Sequence, residues 1–145
     1  MKNKVVRSIG ILGLFFVLAI ANAHAQTPTR VEANIPFDFA AGKATLKAGT
    51  YSIKRMPGNT LAIRSGDGKT TALIDAPLTI GSRDSRGGER LVFNQYGDRY
   101  FLSQVWLSVE SGRQLFTSAA ETKAAREYRL AHNNAKPARV EIAVR

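Results

Sequence analysis

The stretch from residue 91 to 107 constrains the fold more than any other part of the chain. Residues 91–96 and 99–107 flank Gly97-Asp98, a two-residue turn in which glycine supplies the positive φ of a tight hairpin. Registering the strands about that turn sets Phe93 against Leu102 and Gln95 against Tyr100 on one face. Asn94 then faces Phe101, and Tyr96 faces Arg99, on the other. Large apolar side chains fall on both faces, so the hairpin belongs at the centre of a sheet covered twice. Trp106, near its end, is expected to be shielded from solvent.

The remaining periodicity is also that of strands. Val31, Ala33 and Ile35 alternate with Arg30, Glu32 and Asn34 before Pro36 interrupts the ladder. Phe37 and Phe39 then form an apolar pair, and Gly42 and Gly49 bracket a turn-rich stretch. In the next strand, 50–56, Tyr51 and Ile53 form the packing side, with Met56 a candidate third. Pro57-Gly58-Asn59 is a turn, Leu61 and Ile63 alternate after it, and Ser65-Gly66-Asp67-Gly68 closes a hairpin into a Thr-rich strand over 69–76. Residues 81–88 contain no apolar side chain and make the longest loop. Val140, Ile142 and Val144 alternate in a last strand. One helix is predicted over 119–131: Ser118 with Glu121 three residues on is a capping box, and Asn133-Asn134 and Pro137 end the run. Its apolar stripe is Ala120, Ala124, Tyr128 and Ala131. About eight short strands with one late α-helix make this a mainly β chain, an antiparallel barrel or sandwich. Pairing of the two terminal strands would remove exposed edges.

The N-terminus reads as a leader rather than as part of that domain. Lys2, Lys4 and Arg7 precede an unbroken apolar or glycine run over 9–20, followed by Ala23-His24-Ala25. This is the pattern of a secretory signal peptide over residues 1–25. The apolar run is shorter than the about 20 residues a spanning helix needs. Cleavage after Ala25 leaves residues 26–145 as one β-rich domain, periplasmic or extracellular, with no transmembrane span. With the three leader cations gone, 120 residues carry a charge of +7. The chain has no cysteine, so disulfides, thiolate nucleophiles and Cys-ligated metals are excluded together.

Three segments carry a resemblance: Ile35-Pro36-Phe37-Asp38-Phe39, Leu46-Lys47-Ala48-Gly49-Thr50-Tyr51, and the run from Phe93 through Tyr96-Gly97-Asp98-Arg99-Tyr100 to Gln104-Val105-Trp106. The chain resembles a group of uncharacterised small exported proteins of soil bacteria with PFDF, AGTY and YGDRYFLSQVW-like motifs. That group usually has proline where this chain has Lys47. The resemblance implies export and a shared small β-rich fold, and it brings no reaction, ligand or catalytic residue.

Candidate chemistry is sparse. Beyond the leader the one histidine is His132, at the predicted helix end, where a ring nitrogen commonly meets free carbonyls. Asp67 sits between two glycines without the further acidic ligands of a calcium loop. Gly68-Lys69-Thr70 imitates the end of a phosphate loop, but Ile63 stands where the first glycine is required and the segment joins two strands, so it is a turn. Asp38, Asp98 and Glu89 are the carboxylates a glycosidase would draw on, at roughly 5 to 10 Å apart. Asp98 reads more simply as a turn residue and Asp38 as an outward position between two core phenylalanines. No metal, cofactor or catalytic residue is assigned.

Charge is the signal with a sign. Twelve of the eighteen basic residues beyond the leader are arginine, the better donor for carboxylates and phosphates. Arg83, Arg86 and Arg90 are the candidate anion-binding cluster, sharing a loop with Asp84 and Glu89. Arg126 and Arg129 fall on the outward, solvated side of the helix, and Tyr96, Arg99 and Tyr100 bring aromatics beside charge. Export argues against nucleic acid as the partner and favours an anionic envelope glycolipid or polysaccharide. The expected function is an exported non-catalytic module for envelope or extracellular interaction. The alternative is a small secreted hydrolase or a ligand-carrying β-barrel.

Overall fold

The computed structural model describes residues 30–81 and 88–145. The leader, Arg83 and Arg86 lie outside them. In chain order the elements are β1 (Arg30–Ile35), β2 (Phe39–Ala41), β3 (Ala44–Leu46), β4 (Gly49–Arg55), β5 (Thr60–Ser65), β6 (Thr71–Asp75), β7 (Leu78–Gly81), β8 (Arg90–Tyr96), β9 (Arg99–Trp106), β10 (Ser111–Gln114), α1 (Ala119–Ala131) and β11 (Ala138–Ala143). The chain is mainly β with one late helix, and it builds an open sandwich of two sheets rather than a closed barrel. Eleven strands replace the expected eight, because β3, β7 and β10 carry too little alternation to be legible.

The first sheet is an antiparallel meander in the order β1-β4-β5-β6. The second has the order β11-β8-β9-β10-β7, and β2 continues the row of β10 along β9. That β2–β9 contact is parallel, with Phe39 opposite Tyr100, so the sheet is mixed rather than purely antiparallel. Val31, Ala33, Ile35, Tyr51, Ile53, Leu61 and Ile63 point from the first sheet into the core, as their spacing predicts. They meet Leu91, Phe93, Leu102 and Val105 of the second. The central hairpin has the predicted register in all four pairs, Phe93 with Leu102 through Tyr96 with Arg99. A bulge between Val92 and Phe93 then shifts it, so Arg90 lies opposite Trp106.

The terminal strands meet without forming a ladder. Glu32 N–H donates to Arg145 O and Arg145 N–H to Glu32 O, both at 2.9 Å, a single reciprocal pair that fastens the sheets along one side. On the other side the sandwich gapes between β6 and β3, each paired with one neighbour only. α1 has the predicted bounds and covers the second face of β8. Its buried residues are Glu121 and Ala124, with Tyr128 half-buried. Ala120 and Ala131 of the expected stripe are exposed. The cap is half of the expected box. Ser118 Oγ accepts from Glu121 N–H at 3.1 Å, but the Glu121 carboxylate turns to the sheet, accepting from Asn94 Nδ2 at 2.8 Å and Tyr96 OH at 3.4 Å. Among the described residues no helix is long and apolar enough to cross a membrane.

Candidate functional site

The three motif segments converge on one aromatic cluster between the sheets. Phe37 stacks on Tyr100 at 3.8 Å and meets Phe93 edge-on at 5.2 Å. Phe39 meets both Tyr51 and Phe93 edge-on at 5.4 Å. Aromatic pairs in these geometries add to burial. The motif residues between these rings tie the segments together. Asp38 accepts from Lys47 Nζ at 2.7 Å and from Ala48 N–H at 2.8 Å. Tyr51 OH donates to Lys47 O at 2.7 Å. Lys47 thus holds Asp38 by its ammonium. That hydrogen bond, with Ala48 N–H, keeps the Asp38 carboxyl below its ordinary value and raises the Lys47 ammonium above its own. Burial pushes the Tyr51 hydroxyl up.

Asp67 and His132 serve the backbone. Asp67 accepts from Ser65 Oγ at 2.5 Å and Lys69 N–H at 3.1 Å, which lowers its pKa and shapes the turn before β6. His132 Nδ1 lies 2.9 Å from Tyr128 O, with its ring stacked on Tyr128 at 4.2 Å. Asp98 sits in the hairpin turn beside Gly97. Neither the groove beside β6 nor the depression over Arg30 and Arg64 is lined by Asp38, Asp98 or Glu89. Among the described residues no group of three or more His, Asp or Glu gathers as a metal site would require.

The structure separates Arg90 from an outward-reaching role. It is the first residue of β8, with a side chain 18% exposed and its guanidinium 4.5 Å above the Trp106 ring. Its Nε lies 3.4 Å from Glu141 Oε2, and its Nη1 donates to Gly88 O at 3.0 Å. Trp106, only 5% exposed, lies over Gly112 and donates from Nε1 to Gln104 Oε1, which also accepts from Arg139 Nη2 at 2.7 Å. Arg90 is therefore bound into a stacked network on the outer face of the second sheet.

Among the described residues, two surfaces combine exposed apolar side chains with charge or concavity. The first is the outward side of α1 and the chain beyond it. Residues 119–145 hold six basic residues against three acidic, and one of those acids, Glu121, is buried. Lys123, Arg126, Arg129, Lys136 and Arg139 are all exposed, and Leu130 stands among them 78% exposed. Glu127 is the local counter-charge, 3.2 Å from Arg99 and 3.9 Å from Lys123. The sequence contained this signal in the spacing of Lys123, Arg126 and Leu130, one face of a helix, but a solvated face explains the cations equally well. The second surface is a groove of about 1010 Å³ in the gap between β6 and β3, walled also by residues 116–120. Leu73, 69% exposed, and Phe116, 64% exposed, line it.

Fold and surfaces together define an open β-sandwich with an aromatic core, one covering helix and a basic outer pole. No family model, curated protein or solved structure matches the chain.

Proposed function

We propose that the chain is an exported, non-catalytic β-rich module that associates with an anionic envelope surface, a glycolipid in the first instance. The observation that carries the reading is the outward side of α1, where Lys123, Arg126 and Arg129 surround the exposed Leu130. Cations attract an acidic surface, and an apolar side chain among them inserts at its boundary. A filled interior supports the same reading over that of a ligand-carrying barrel, since Phe37, Phe39, Tyr51, Phe93 and Tyr100 occupy the space between the sheets. The leader delivers the protein to the periplasm or beyond, with cleavage after Ala25.

Vesicle flotation tests the association. Anionic glycolipid vesicles are expected to retain the protein, and retention falls with salt because exposed charges are screened beyond about 8 Å at physiological ionic strength. Replacing Lys123, Arg126 and Arg129 by glutamine should abolish most of it. The same change at Arg83 and Arg86 tests the loop as a second contributor. Equal retention on neutral and anionic vesicles overturns the electrostatic reading, while competition by an acidic polysaccharide alone reassigns the counter-charge. For export, the intact mass of secreted material should begin at Gln26, and a membrane-bound form that keeps Met1 contradicts it.

A further inference from the structure

We infer that the free edge of β6 is a self-recognition surface through which two copies of this chain pair antiparallel about Leu73. The backbone supports this first. Ser65 N–H bonds Thr70 O, and Ala76 N–H bonds Asn59 O, at the two ends of the β5–β6 ladder. Antiparallel pairs alternate between hydrogen-bonded and non-bonded positions. With the observed register, Ala72 and Ile74 therefore spend their backbone groups on β5, while those of Thr71, Leu73 and Asp75 point to the free edge. Natural sheets blunt such edges with lysine, proline or a bulge, and β6 has none of these between Thr71 and Asp75.

The outward set is symmetric about Leu73, so β6 is its own complement. A two-fold axis at Leu73 sets that residue against its copy and Thr71 against Asp75, and every outward N–H and C=O of the three residues gains a partner. The two Leu73 side chains, each 69% exposed in the single chain, then cover one another on the outer face. Charge favours a second copy over a foreign strand. Arg64 lies beside Thr71 on that face with its guanidinium against Gly68, from where a change of rotamer carries it across Thr71 to Asp75 of the second copy, and Lys69 lies on the diagonal to the same carboxylate. Within one chain neither Arg64 nor Asp75 makes an ion pair among the described residues. The groove along residues 70–75 leaves the edge accessible. A five-residue edge is a small contact by the standard of stable interfaces, so the dimer is reversible and concentration-dependent.

Sedimentation equilibrium of the purified protein, combined with amide exchange, tests the pairing. Dimer should accumulate with concentration, and the amides of Thr71, Leu73 and Asp75 should slow in parallel while those of Ala72 and Ile74 stay protected throughout. Leu73→Lys, which opposes two ammonium groups on the axis at an exposed position, should leave a folded monomer. Asp75→Arg should weaken the dimer and the double change Asp75→Arg with Arg64→Asp should restore it. A chain that stays monomeric at all concentrations overturns the inference. So does a dimer that survives Leu73→Lys or leaves those three amides unchanged. Protection of the same amides only by an added extended peptide assigns the edge to another partner and overturns it equally. The glutamine changes on α1 leave dimerisation unaltered, so this test is independent of the association with anionic surfaces.

Discussion

At the scale of single residues, the chain uses its unusual side chains to hold strands together. Asp38 is the clearest case, since one carboxylate fixes a lysine and a backbone N–H of another segment. Its pKa is depressed from 3.8 by these bonds, so their contribution to stability is present above 3.8 and is lost as pH falls through the lower, folded value. NMR titration should find the Asp38 midpoint below 3.8 and find it raised in Lys47→Ala. A midpoint unmoved by that change would detach Asp38 from the lysine. Trp106 and Gly112 make a second pair. A Cβ at Gly112 would lie 2.6 Å from Trp106 Cδ2, so Gly112→Ala forces the ring or β10 to move and should cost about 1 to 3 kcal/mol. Trp106→Ala should cost about 3 to 5 kcal/mol. Chemical denaturation measures both, and strong iodide quenching of the native tryptophan would contradict its burial. The burial of Trp106 was legible from the doubly apolar hairpin. The place of Arg90 was not, because the bulge at Val92/Phe93 changes which residue it opposes. Without that extra residue Arg90 would face Val105, and sequence alternation alone carries no trace of the shift.

At the scale of elements, α1 depends on its cap and on the polar seat beneath it. Removing the Ser118 hydroxyl leaves the Glu121 N–H without its acceptor, and Ser118→Ala should lower stability by about 1 kcal/mol, read from the thermal midpoint. Burial and the nearby Glu121 carboxylate raise the pKa of Tyr96 above 10.0. A raised value means that the folded state holds the proton more tightly. The stability it contributes is therefore present below 10.0 and disappears as pH climbs from there through the folded value. Ultraviolet titration should show two late-ionising tyrosines, Tyr51 and Tyr96, of which only Tyr96 returns toward 10 in Glu121→Gln. The bounds of α1 were readable because a serine cap and helix formers act locally. Its buried face was not, since Glu121 is drawn inward by Asn94 and Tyr96, partners that sequence distance conceals. Strand order was similarly hidden. Leu73 sits in an apolar run with Ala72 and Ile74, and only the pairing with β5 reveals which of them point inward and that β6 ends its sheet. Short polar strands such as β10, Ser-Gly-Arg-Gln, carry no alternating apolar side chains and leave no period to read.

At the scale of the molecule, one side of the sandwich is fastened and the other is open. The fastening is the reciprocal pair between Glu32 and Arg145, with Val144 N–H donating to Glu89 O at 3.2 Å beside it. Removing Val144 and Arg145 should leave both sheets intact while the Glu32 amide loses protection, since its acceptor is gone. Hydrogen exchange reads this directly, and an unchanged Glu32 amide would show that the seam is held by something else. The seam also sets a timetable. Contacts between distant parts of a chain are slow to form, because the loop between them must be closed first. The sandwich is fastened by residues synthesised after every other described strand, so a growing chain can complete the first sheet while the second sheet and the seam stay unfinished until β11 follows. β8, which bridges β9 and β11, waits for the same event. For the exported role proposed above, in which an extended chain is threaded across a membrane, such a delay would be an advantage: the fold would postpone its own completion until threading no longer needs it open.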